Sequence, residues 1–162
     1  MKYLKAYKIF EHQNIEDNSE LVKQLKEFGV ENYIINNDGT IDVNGDVYLA
    51  MRELTKIPFK FGKVTGDFNC RNNQLTSLDG CPREVGGDFN CSNNKLQDLI
   101  GGPQEVDGDY YCHTNGLETL EGCAGDIGVD LICSFNNLTS LDCSSVVNGN
   151  IYCFSNGFKG VE

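Results

Sequence analysis

The sequence predicts an α/β fold leaning to β, a solenoid of about six coils of 21 residues behind a short non-repeating cap. Three features carry that expectation. Rows beginning at Gly45, Gly66, Gly87 and Gly108 align over their whole length, as in GDFNCRNNQLTSLDGCPREVG and GDFNCSNNKLQDLIGGPQEVD, and a 20-residue row from Val129 and a partial row from Gly149 follow. Apolar residues recur in fixed columns, two of which stand two residues apart, the period of a strand. An asparagine recurs just beyond them. A fixed period of this length makes each row one coil, whose apolar side is buried only against the coils above and below it.

The cap comes first in the chain, over residues 1–42, with the solenoid at 43–162. Its opening segment MKYLKAYKIF is ambiguous between strand and helix and stays unassigned. NSELVKQLKEFG predicts a short helix over about 18–28, because Leu21, Val22, Leu25 and Phe28 share one face, Asn18 or Ser19 can cap it and Gly29 suits the exit. YIINNDGTIDV predicts a hairpin over about 33–43, turning at Asp38-Gly39. Helix and hairpin together are expected to cover the first coil's open edge.

Within the rows, the strand columns are Val47, Phe68, Phe89, Tyr110, Leu131, Ile151 and Leu49, Cys70, Cys91, Cys112, Cys133, Cys153. Three further apolar columns run from Leu54 to Phe158, from Ile57 through Leu141 to Val161, and from Val43 to Val147 on the return path. Five stacked columns make a continuous core. Asn73, Asn94, Asn115, Asn136 and Asn156 form a ladder whose amides can donate and accept where the chain leaves the strand.

The pattern L/F-x-C-x-x-N-x-L-x-x-L resembles the leucine-rich repeat, with Cys in place of one leucine. GDFNCSNNKL followed by GxPxEVGGDF is similar to the short, Cys-containing leucine-rich repeats of many tailed-bacteriophage proteins, and the likeness reaches back to about Glu31 through ENYIINNDGTIDVNGDV. The resemblance implies a right-handed solenoid with a parallel strand on one side of each coil and a mostly irregular return. It also implies a role in protein binding and no enzymatic activity.

Eight cysteines invite a disulfide or metal reading. Five lie in an inward strand column and Cys81, Cys123 and Cys143 share one position on the return path, so the expectation is reduced core thiols that behave as small hydrophobes. No C-x₂₋₄-C pair exists and the histidines are His12 and His113, so no metal site is expected, zinc included, and no cofactor. The aspartates lack the nonapeptide pattern of calcium solenoids. The chain has no run of 18 apolar residues and its start lacks a small-residue cleavage site, which predicts a cytoplasmic protein, in the host bacterium if viral.

Residues flanking the inward columns must point outward, and they form the expected binding face. One column is Asp46, Asp67, Asp88, Asp109 and Asp130, ending at Asn150. The partner-binding candidates are Asp67, Asp88, Asp109, Asp130, Tyr48, Tyr111, His113, Phe135, Tyr152 and Phe154. Like charges one strand spacing apart repel unless each carboxylate has a donor, which an Asx-type turn to a nearby backbone N–H would supply. From Leu96 to Phe158 there is no Lys or Arg, against nine acidic residues, while Val43 to Lys95 is nearly balanced. With 13 basic and 24 acidic residues and a net charge of -11, direct nucleic-acid binding is not expected. A one-sided acidic field with exposed aromatics instead favours a protein partner with a basic surface. A rival expectation is self-assembly, as a homodimer or scaffold, through an open edge at the C-terminal coil. Catalysis has one thin lead, His113 with Ser92 and Ser134 one coil away on either side, and no orienting acid beside it.

Overall fold

The computed structural model describes residues 19–158. MKYLKAYKIF, the cap residue Asn18 and the core position assigned to Val161 lie outside the described residues. Helix α1 spans Ser19–Glu27, begins with Glu20 in its first turn and ends with Lys26 in its last, each sign matched to the helix dipole. Phe28, Gly29 and Val30 N–H groups bond back to Gln24, Lys26 and Leu25 carbonyls, and Gly29 takes φ 72° at the exit, as the sequence led one to expect. Helix α1 falls in a first unit, residues 1–31, separate from a second unit, residues 32–162.

The second unit is mostly sheet, a parallel β-solenoid of about five turns at 21-residue spacing. It opens on the hairpin of β1 (Tyr33–Ile35) and β2 (Ile41–Val43), antiparallel in register, turning at Asp38-Gly39 with Gly39 at φ 80°. Asp38 Oδ1 accepts the Thr40 N–H at 3.0 Å and its hydroxyl at 2.7 Å, which holds that carboxyl below its usual range. Each later coil then contributes two short strands. The first sheet continues from β2 through β4 (Phe61–Val64), β6 (Glu84–Val85), β8 (Glu105–Val106), β10 (Asp126–Ile127) and β12 (Val146–Val147). The second stacks β3 (Val47–Tyr48), β5 (Phe68–Asn69), β7 (Phe89–Asn90), β9 (Tyr110–Tyr111), β11 (Leu131–Ile132) and β13 (Ile151–Tyr152), all parallel.

The return path is therefore less irregular than the resemblance implies. The valine column, Val43 to Val147, is itself the inward side of the first sheet, and a Gly-Asp corner carries the chain into the second. The glycine of that corner is required by space: a Cβ on Gly66, Gly87 or Gly108 would collide with the aspartate carboxylate of the coil before it.

Between the sheets the expected core is present. Phe68, Phe89, Tyr110 and Leu131 are fully buried, as are Cys70, Cys91, Cys112 and Cys133 and the leucines Leu75, Leu96, Leu117 and Leu138. The rings follow one another along the axis, Phe68 stacked on Phe89 at 5.9 Å and Tyr110 tilted against Phe89 at 4.8 Å between centroids. The asparagine ladder is continuous: Asn115 Oδ1 accepts from Asn94 and Leu96 N–H at 3.1 and 3.2 Å, and its Nδ2 donates to the Cys91 and Cys112 carbonyls at 3.1 Å each. No helix among the described residues is long and apolar enough to cross a membrane.

The core loosens in the last coil. Ile151, in the inward column, is 42% exposed, Leu141 and Phe158 are exposed, and Cys153 and Val147 are half-buried. The row from Val129 is one residue short between Leu141 and Val147, so the coil cannot follow the path of its neighbours there.

Candidate functional site

The outward side of the second sheet collects the sequence-predicted residues, because alternate positions of β3 to β13 face away from the core. Its foundation is the aspartate column, and the donor it uses is not the local one an Asx turn would give. Asp46, Asp67, Asp88 and Asp109 Oδ1 each accept the backbone N–H of the aspartate one coil on, at 2.9 Å, and Asp130 Oδ1 accepts the Asn150 N–H at 2.7 Å. One oxygen of every carboxylate thus ties two coils together. The second oxygen is used differently: Asp109 Oδ2 accepts the Tyr111 hydroxyl at 2.7 Å and Asp46 Oδ2 the Tyr48 hydroxyl at 3.3 Å. That hydrogen bond, then burial, then the charges of Asp109, Asp88 and Asp130 push the Tyr111 phenol up to about 12. Tyr48 is also raised, by the charge of Asp46 first.

Beyond the strand, one outward column has the left-handed backbone in every coil: Met51, Asn72, Asn93, Thr114, Phe135 and Ser155 all have φ between 55° and 58°. Asparagine accepts that conformation readily; a bulky or β-branched side chain does not. Phe135 nevertheless occupies it, 53% exposed, with its ring edge-on to Phe154 at 5.1 Å between centroids. Tyr152 and Phe154, 44% and 59% exposed, flank it in the last coil. The structure thus brings Tyr111, Asp130, Phe135, Tyr152 and Phe154 onto adjoining coils of one face. Tyr48 and Asp67 lie at the other end of the same face.

His113 is half-buried, edge-on to Tyr111 at 6.5 Å, and its Nδ1 pairs with Thr114 Oγ1 at 3.0 Å; burial lowers its pKa below the ordinary histidine value, favouring the neutral ring. The neighbouring hydroxyls are engaged elsewhere. Ser92 Oγ donates to Asn90 Oδ1 at 2.7 Å and Ser134 Oγ to the Tyr152 carbonyl at 3.0 Å.

The sequence reading passed over a cleft of about 510 Å³ on the same face, centred on Ser92 between Arg71 and His113. Its signal was legible as one small residue set between two long ones in a single column. On the first sheet, Lys63 pairs with Glu84 at 2.8 Å, and the next two positions in register, Glu105 and Asp126, line a depression of about 340 Å³ with Asp107 and Asn148. The acidic half of the chain is therefore acidic on both sheets.

All eight cysteines are free thiols. Burial raises Cys81, Cys91 and Cys112 well above the ordinary thiol value, Cys133 to about 12 and Cys123 to about 11. Among the described residues no group of three or more His, Cys, Asp or Glu is placed to hold a metal ion. Comparison of the chain with protein families, with curated proteins and with solved structures finds no match.

Proposed function

We propose that this chain is a leucine-rich-repeat protein of the short, Cys-containing type and that it acts as a non-enzymatic binding module. Its target is a basic surface of another protein, held on the outward face of the second sheet. The observation that carries the reading is the placement of exposed Phe135, Tyr152 and Phe154 beside the Asp109–Tyr111 pair and Asp130, in a stretch of 63 residues, Leu96 to Phe158, with no Lys or Arg. Aromatics supply the anchoring contacts of interfaces, and a one-sign field steers the partner and speeds encounter. Phe135 adds weight, since a large apolar side chain is held both in water and in a backbone conformation that disfavours it. The repeat's likeness to tailed-phage proteins supports an accessory protein acting on a host factor, such as a nuclease or defence component whose nucleic-acid site is basic.

The test is capture of a bacterial protein at low and high salt with the wild type, with Phe135→Asn, and with Asp109 and Asp130 changed to Asn. Capture that weakens with salt and is lost in both variants supports the reading; capture indifferent to all three changes sinks it. Asn suits both tests, because it tolerates the left-handed backbone and can still accept the ladder N–H.

A second reading, self-assembly, rests on Ile151, an inward position left 42% exposed on β13, the outermost strand of the second sheet among the described residues. Sedimentation over a range of concentrations tests it: a monomer throughout removes it.

A further inference from the structure

The cleft over Ser92 differs in character from the acidic half of the same face. Ser92 is 3% exposed and forms the floor; Arg71 and His113, one coil before and one after, stand on either side of it. Hydrogen bonds fix what the side chains around it present. Asn90 Oδ1 accepts both the Ser92 N–H at 3.1 Å and the Ser92 hydroxyl at 2.7 Å, so the Asn90 amide is oriented and its Nδ2 is left to donate. Asn72 Oδ1 accepts from Asn93 Nδ2, which leaves the Asn72 Nδ2 as a donor too. The Arg71 guanidinium enters no ion pair among the described residues, and Arg71 is the one Lys or Arg that lines the cleft. Asp88 is its one carboxylate, and Asp88 Oδ1 is already held by the Asp109 N–H at 2.9 Å.

Three N–H-bearing groups, one fully charged, therefore face a space whose volume is in the range of small-ligand sites. We propose that this cleft binds a carboxylate group, seated on the Arg71 guanidinium and steadied by the Asn72 and Asn90 amides. Arginine's planar fork matches a carboxylate through two parallel hydrogen bonds. Asp88, which also lines the cleft, disfavours a doubly charged anion, so the cleft selects a single carboxylate over phosphate. The proposal uses the outward face already described and does not depend on a basic partner being bound beside it. Where both hold, the partner carries one acidic group placed opposite Arg71 within an otherwise basic surface.

The experiment is nuclear magnetic resonance of the ¹⁵N-labelled full chain, following the Asn72 and Asn90 side-chain amides and the Arg71 Nε–H. The probes are N-acetylglycine for a chain-terminal carboxylate, the α-amide of N-acetylaspartate for a side-chain carboxylate, neutral N-acetylglycinamide, and inorganic phosphate. Saturable shifts at millimolar concentration with at least one carboxylate, weaker with phosphate and absent with the neutral amide, support the proposal, and the stronger carboxylate identifies the source. Arg71→Gln abolishes the shifts of the two amides, whereas Lys95→Gln, which removes a cation bound to Gln74 outside the cleft, leaves them. Shifts absent with both carboxylates, equal with phosphate, retained in Arg71→Gln or lost equally in Lys95→Gln overturn it.

Discussion

The aspartate column ties successive coils together, and the proposed binding function gives it a second role; a pair of triple variants separates the two. Changing Asp88, Asp109 and Asp130 to Asn, or the same three to Ala, removes the same charges, so the relief of repulsion between carboxylates about 4.8 Å apart is common to both and cancels in the comparison. What differs is the acceptor. Asn keeps an oxygen where Asp88, Asp109 and Asp130 Oδ1 receive the N–H groups of residues 109, 130 and 150; Ala leaves those three N–H groups without it. The groups are part-buried or exposed, so each loss sits at the low end of the cost of an unmade bond, about 1 kcal/mol. The Ala variant is therefore less stable than the Asn variant by about 3 kcal/mol, or about 6–12 °C in Tm for a domain of this size. Thermal and urea unfolding measure this difference. The Asn variant melts close to the wild type and, if the proposed function holds, still loses salt-sensitive capture of a basic protein. Coincident melting of the two variants would refute the ladder, and full capture by the Asn variant would refute the electrostatic role.

Tyr111, with its phenol pushed up to about 12, contributes stability that is complete below the ordinary tyrosine value near 10 and is lost as pH rises through 12; an ultraviolet titration of wild type minus Tyr111→Phe gives that late curve, and Asp109→Asn draws it back towards 10. A difference curve already centred near 10 would mean that the hydroxyl is not held by Asp109. The Tyr110 hydroxyl is buried with no hydrogen-bond partner among the described residues, so Tyr110→Phe, which matches Phe68 and Phe89 in its column, raises stability by about 1 kcal/mol in chemical denaturation; a loss would place a further partner on that oxygen. In the native protein, disulfide reagents label half-buried Cys143 and Cys153 first and reach Cys70, Cys91, Cys112 and Cys133 only on unfolding, and mass mapping that found those four labelled early would contradict the packing.

The core was readable from the chain because packing repeats when the sequence repeats: Phe68 and Phe89, Cys70 and Cys91, Asn94 and Asn115 could each be assigned inward or at the turn from a neighbour's position alone. What escaped was anything set by contact between coils rather than along them. Asp67 was expected to bond locally, but its acceptor oxygen serves Asp88, 21 residues away, which no single row reveals. Val85 read as part of an irregular return and is instead half of strand β6 in the first sheet, since a two-residue strand has too little length to show a period. Leu141 was placed in the core by its column, yet the one-residue deletion that follows it leaves it 37% exposed. The outward face was legible as a set of columns, and Ser92 between Arg71 and His113 marked the cleft; what no column shows is that the one side-chain oxygen of Asn72 and of Asn90 is already bonded, which turns their amide nitrogens into the free donors.

Gly-Asp corners joined by bonds that always span one coil make the molecule a ladder with interchangeable rungs. Excising one complete row, Gly66 to Gly86 for instance, leaves every remaining carboxylate facing an equivalent N–H, and shortens the stack by one strand spacing, about 4.8 Å. The distance between the Phe135 end of the face and the Tyr48 end is thus a whole-number quantity, adjustable by duplication or loss of coils without redesign of any single one.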